Sequence, residues 1–237
     1  LDKQGGVYAA CKWRACTIRL GPRCVLPGPQ GSGRLREGIM AKEYIGEGFT
    51  SLRLEDGEVK GAYFEDCLFE DCSFQGMALR NCRFSGCTFL QCRLSGLAFD
   101  NVQAMGNAFE GCTLLGLDWS ALLDPRKQDL GFLPFDSFAA CTLHHCVFFH
   151  LDLRKFAFSG CDLSGSFFED CRLAEADFSG CLLRGAAFSH NDLSAADFRG
   201  AREYSFSLEG NQVKGAKFSM PEAVNLLYGL GLQIDAT

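Results

Sequence analysis

From Val59 onward an apolar residue returns at every fifth position: Val59, Phe64, Phe69, Phe74, Leu79, Phe84, Phe89, Leu94, Phe99, Ala104, Phe109, Leu114 and Trp119. The series breaks and resumes at Phe138, now alternating strictly between Phe and Leu through Leu143, Phe148, Leu153 and onward to Phe198. Neither the 3.6-residue period of a helix nor the two-residue period of a strand produces this spacing. A fixed short repeat predicts a solenoid in which each unit packs only on its neighbours. A second inward position lies two residues before each central Phe or Leu. It holds small or thiol side chains, and all eleven cysteines beyond residue 24 fall there. The remaining three positions are mostly Ser, Gly, Asp, Glu, Arg or Asn, so each unit points two side chains inward and three outward.

Composition changes the picture little once the period is known. Fourteen cysteines would suggest a disulfide framework in a short secreted chain. In a long chain with no leader-like start they suggest reduced thiols and a cytoplasmic protein. Thiols stacked in one column point the same way, whereas zinc needs ligands converging tetrahedrally, so the cysteines read as small core residues. His144, His145 and His150 fall at outward positions and read as solvated. Asp162, Asp177, Asp192 and Asp197 precede inward residues, where a carboxylate faces solvent or caps a local turn. No nucleophile has a base at a recognisable spacing and no glycine-rich loop is placed to hold phosphate, so neither catalysis nor a cofactor is expected. No apolar run has the length needed to span a bilayer, so no membrane association is expected.

The period fails in three places. Residues 122–135 contain Pro125, Pro134 and the charged run Asp124, Arg126, Lys127, Gln128 and Asp129. They separate repeat blocks at 59–121 and 136–219 and predict a loop expelled from the coil. At 201–210 Glu203 occupies a position that should be apolar. Residues 220–237 predict a short helix followed by an apolar stretch that caps the open end. Val224, Leu227, Tyr228, Leu230, Leu232 and Ile234 exceed what a cap needs and predict a homodimer. At the other end, residues 1–39 carry seven Lys/Arg against two Asp/Glu, or +5, so with a total of −6 the rest carries −11. This non-repeat basic stretch reads as disordered or as an extension ahead of a natural start at Met40. A basic arm touching nucleic acid is the rival reading. Residues 40–58 are expected to lead in to and cap the first coil.

The five-residue pattern over residues 59–219 resembles the pentapeptide-repeat family. That resemblance implies an all-β fold, a right-handed quadrilateral β-helix with four units per coil and a short C-terminal helix. Phe138, Phe158, Phe178 and Phe198 would form one wall and Phe148, Phe168 and Phe188 the opposite one. Leu143, Leu163 and Leu183 would fill a third face and Leu153, Leu173 and Leu193 the fourth. The interrupted repeats, the late units at 211–219 and the helix-plus-Leu-Gly-Leu tail are similar to the subgroup of Qnr proteins and the microcin B17 immunity protein. This implies a dimer that engages DNA gyrase or topoisomerase IV by resembling DNA, with the expelled loop at Asp124, Arg126, Lys127, Gln128 and Asp129 contacting the partner and no direct nucleic-acid binding by the repeats. The alternative is a scaffold that binds another bacterial protein through one flat face. A continuous acidic stripe would favour the mimic, and a mixed face the scaffold.

Overall fold

The computed structural model describes residues 39–40, 43–123, 132–228 and 232. Its strands are short and parallel, and each pairs with the strand one coil away. Phe69 sits opposite Phe49 and Phe89, a register of twenty residues per coil. Four such columns stand side by side, and the chain winds through them as a four-sided solenoid. For reference the faces are lettered by their central residues. Face A carries Phe69, face B Phe74, face C Leu79 and face D Phe84.

The repeat begins earlier than the sequence reading placed it. Tyr44, Phe49 and Leu54 pair in register with Phe64, Phe69 and Phe74, so residues 43–58 form coil rather than lead-in. Tyr44, Phe49, Leu54 and Val59 are themselves five apart, so this extension was present in the sequence.

The break between blocks leaves three faces continuous. Phe138 pairs with Phe109 and Leu143 with Leu114, while Val147 bridges Asp118. The offset is 138 − 109 = 29 residues where twenty is normal, so nine residues are inserted into one coil. Nine is not a multiple of five, which is why the sequence series shifts phase although the walls do not. Face A is therefore one ladder of phenylalanines at 49, 69, 89, 109, 138, 158, 178, 198 and 218. Successive rings stack at 4.7 Å (Phe69–Phe89) to 6.2 Å (Phe138–Phe158). The opposite Phe148, Phe168 and Phe188 stack at 4.5 and 4.9 Å and meet the face A rings edge to face. The four Phe and Leu walls expected of the second block are all present and buried.

The predicted loop gives up its ends to the core. Ser120–Leu122 form a 3-10 turn, Leu122 and Leu123 are buried, and Phe135 is fully enclosed against Trp119 and Phe138. Asp124, Arg126, Lys127, Gln128 and Asp129 lie outside the described residues. Glu203 does leave the core: its backbone turns to φ +58° and its side chain is exposed. Tyr204 and Phe206 take up the vacated interior. The C-terminal helix is shorter than predicted, spanning Val224–Tyr228, with Leu226 buried.

The two blocks turn their corners differently. From Glu43 to Leu115 every unit is a strand of three or four residues. From Leu153 onward, faces A, B and D close their corners with a hydrogen bond from the residue three positions on. Phe156 N donates to Leu153 O at 3.1 Å and Cys161 N to Phe158 O at 3.0 Å. Lys155 and Gly160, the third residues of these turns, have φ of +62° and +75°, the geometry of a type II turn. Face C alone keeps true strands there, at Val147–Phe149, Phe167–Glu169 and Ala187–Ser189.

Candidate binding faces

A solenoid filled by its own side chains has little room for chemistry inside. A cavity of about 50 Å³ in the first block is walled by Phe84, Phe99, Ala104 and Trp119 among others, and is apolar. It marks the place where Ala104 stands in a row of larger residues, and no nucleophile or acid lines it. The eleven cysteines beyond residue 24 are all buried and free. Burial pushes the thiols of Cys146 and Cys171 up to about 11 and those of Cys161 and Cys181 to about 12. Such groups are protonated at neutral pH and are not nucleophiles. Among the described residues no cluster of His, Cys, Asp or Glu has the arrangement of a metal site.

What the molecule offers is therefore its outer surface. The aspartates before inward residues do cap turns, as expected. Asp162, Asp177 and Asp192 each accept the backbone N–H two residues on, at 3.0, 2.8 and 3.0 Å. Burial alone would raise the Asp162 carboxyl, yet Ser164 and His144 hold it low, with His144 Nε2 at 2.8 Å. Carboxylates on faces A, B and D are also tied to cations. Asp197 pairs with Arg199 at 2.6 Å, Glu203 with Arg184 at 2.5 Å, and Asp152 with Arg154 at 2.5 Å. These arginines hold all three carboxyls below the usual range. On the first-block part of face C, Arg80 sits between Glu58 at 3.2 Å and Asp100 at 3.8 Å.

The second-block part of face C differs. Its units at 146–150, 166–170, 186–190 and 206–210 contain no Lys or Arg. They carry Glu169, Asp170 and Glu209 instead, none of which pairs with a Lys or Arg of the described residues. They also carry two of the largest exposed apolar side chains, Phe149 at 41% and Phe167 at 50%. Strand register sets Val147, Phe167 and Ala187 in one outward row. Phe149 stands in the next outward row, in line with Glu169 and Ser189. Sequence reading missed these two residues, although the signal was there: Phe148-Phe149 and Phe167-Phe168 each place a second aromatic where the period demands a polar residue.

At the C-terminal end Val224 is half-buried, while Met220, Leu227, Tyr228 and Leu232 are exposed. Leu230 and Ile234 lie outside the described residues. Among the described residues no helix is long and apolar enough to cross a membrane.

Four-sided parallel coils built on a five-residue unit define a class of β-solenoids, and the comparisons with known proteins agree. The family model for the pentapeptide repeat region matches residues 48–122 and 135–218, and the chain belongs to that family. No curated protein matches the sequence significantly. Solved structures similar to it include HetL, a pentapeptide repeat protein involved in heterocyst differentiation regulation from Nostoc sp. strain PCC 7120. It is 16% identical, with 78% of this chain and 87% of that one covered and a TM-score of 0.47. Full-length QnrB1, a plasmid-mediated fluoroquinolone resistance protein, is 20% identical over 78% of this chain and 100% of that one, with a TM-score of 0.40. Rfr23 from Cyanothece 51142 is 16% identical over 56% and 88%, with a TM-score of 0.15.

Proposed function

We propose that this chain is a non-enzymatic cytoplasmic binding protein that offers one flat face of its solenoid to another protein. The observation that carries this reading is the mixture of charge. Cations interrupt the carboxylates on faces A, B and D, whereas a surface imitating duplex DNA needs an unbroken run of negative charge. A filled core and the burial of the eleven cysteines beyond residue 24 support a role without catalysis. A rigid face also binds without the ordering cost that a flexible one incurs. The test is a display selection of random dodecapeptides against the immobilised full-length chain. Binders competed away by soluble chain support the reading, and a library that enriches nothing contradicts it.

The net charge of −11 outside residues 1–39 favours a second reading, modulation of DNA gyrase or topoisomerase IV. The residues at 124–129 would supply its contacts, and a homodimer joined through Leu227, Tyr228, Leu232 and their neighbours would lengthen the rod. A supercoiling assay with purified gyrase, with and without ciprofloxacin, decides this: neither inhibition nor protection at micromolar protein removes it. Sedimentation of the wild type beside Tyr228→Asp tests the dimer, which predicts a fall to the monomer mass in the variant only.

A further inference from the structure

We infer that the second-block half of face C is the docking surface, and that it takes a basic protein segment carrying an aromatic or aliphatic side chain between Lys or Arg residues. The inference rests on the binding-protein reading and narrows it to one face and one partner chemistry. Face C is the one face whose second block keeps continuous strands, so its outward side chains stand in straight rows. Coils spaced about 4.8 Å apart put its three strands, Val147–Phe149, Phe167–Glu169 and Ala187–Ser189, across about 10 Å, within the reach of a short extended segment.

Two independent features share that stretch. The first is apolar. Phe149 and Phe167 are 41% and 50% exposed, although the same sheet has a filled core behind it. The five-residue period puts polar residues at most outward positions of this block, and aromatic side chains held on a rigid sheet are the usual anchors of a protein interface. The second is charge. Glu169 and Asp170 lie beside the aromatics, and face C of this block has no Lys or Arg to neutralise them. Asp152, Asp197 and Glu203 on the other faces are paired with Arg, whereas Glu169 and Asp170 pair with no Lys or Arg of the described residues. Phosphate surfaces are repelled by the same groups, so nucleic acid and anionic membrane are disfavoured.

The division of labour follows from general interface physics. Phe167 and Phe149 supply affinity by leaving water, and the acidic rim steers encounter and selects the sign of the partner. The two contributions separate experimentally, because salt screens the rim and leaves the apolar contact in place.

The test extends the dodecapeptide selection. Enriched peptides are expected to pair Lys or Arg with Phe, Tyr, Trp or Leu. The double variant Phe149→Ser with Phe167→Ser should lower their affinity about 30-fold, the range of a two-residue hot spot. Glu169→Lys with Asp170→Lys should lower it about fivefold at low salt and less at high salt. Both pairs are solvent-facing, and unchanged circular dichroism and melting temperature verify that the fold is intact. Peptides that bind but ignore both double variants would overturn this inference and leave the binding-protein reading standing. Acidic enriched peptides would overturn it as well, and a library with no binders overturns both.

Discussion

The two repeat blocks share a period and a ladder of phenylalanines, yet they satisfy their backbones in different ways. In the first block the corners are open. The N–H of the small inward position has no partner within its own turn, and at several positions a polar or sulfur-bearing side chain from the next coil receives it. Gly57 N donates to Met77 Sδ at 3.3 Å, Cys87 N to Asn107 Oδ1 at 2.9 Å, and Cys92 N to Cys112 Sγ at 3.3 Å. The corner that follows face C in the second block continues this arrangement: Cys171 N donates to Asn191 Oδ1 and Asn191 N to Asn211 Oδ1, both at 2.9 Å. Cys146, at the start of that block, does the same with Ser166 Oγ at 3.0 Å. Elsewhere in the second block the type II turn satisfies that N–H itself, as Ala176 N to Leu173 O and Ala196 N to Leu193 O show. Alanine then suffices, and it appears at 176, 186, 196, 201 and 216. These thiol, amide and hydroxyl acceptors offset the cost of a buried N–H that its own turn leaves open, although open corners of the first block also hold the apolar Ala62 and Val102. Cys161 and Cys181 show that a thiol also fits a closed corner. Their Sγ atoms donate to the carbonyls of Phe138 and Phe158.

Packing differs along with the turns. Phe148, Phe158, Phe168, Phe178 and Phe198 are wholly enclosed, whereas Phe84, Phe99 and Ala104 in the first block are only half-buried and flank the cavity of about 50 Å³. The first block is expected to be the weaker half, and four perturbations rank the difference.

Alkali should have the largest effect. Thiols raised by burial keep their protons in the folded state and lose them once unfolded. Their contribution is complete below pH 9, the ordinary value, and declines as pH rises toward the folded values of about 11 to 12. A tenfold difference in acidity between the folded and unfolded thiol is worth about 1.4 kcal/mol. Cys146, Cys161, Cys171 and Cys181 together should therefore lower the unfolding midpoint steeply between pH 9 and about 12. Urea titrations across that range measure it, and a flat profile would argue against deep burial of these thiols. Next comes ring deletion. Phe178→Ala should cost about 3–5 kcal/mol, and Phe99→Ala clearly less because its ring is already partly wet. Equal losses in chemical denaturation would erase the distinction between blocks.

Filling the void reverses the sign. Ala104→Val should stabilise the first block by about 1 kcal/mol, from about 24 cal/mol per Å³ of cavity, visible as a raised melting temperature. The smallest effect is expected at a corner. Lys155, Glu175 and Ala195 hold φ near +60° in turns that favour glycine. Ala195→Gly should leave stability within about 0.5 kcal/mol of wild type or improve it, since relief of the left-handed backbone offsets glycine's extra entropy when unfolded. A loss above that range would show that the Ala195 methyl packs against the Gly215 turn of the next coil.

Much of the fold was legible because the period encodes it directly. The inward Phe, Leu and Cys positions, the four walls of the second block and the outlier at Glu203 all follow from counting by five. Two features stay hidden from such a count. Begun at Val59, it passes over Tyr44, Phe49 and Leu54. A phase shift also looks like a rupture in one dimension, although three walls run straight through the nine-residue insertion. The candidate site was least legible, because Phe149 and Phe167 each sit beside an inward Phe and blend into the core pattern. Counting by five turns Phe148 and Phe168 inward and their aromatic neighbours outward, and the sheet register then sets those neighbours in adjacent rows. Nor does a linear reading reveal which charges are neutralised, since Arg184 and Glu203 are nineteen residues apart and meet only across a coil.

The most direct measurement compares an exposed aromatic from each block. Tyr63 on face D is 47% exposed, close to Phe167 at 50%, so the two substitutions remove similar surface. Titration calorimetry of a selected peptide against Tyr63→Ser and Phe167→Ser proteins is the test. If the second-block face C is the docking surface, Phe167→Ser weakens binding about tenfold or more and Tyr63→Ser by less than about twofold. Equal effects, or a larger loss at Tyr63, would contradict it.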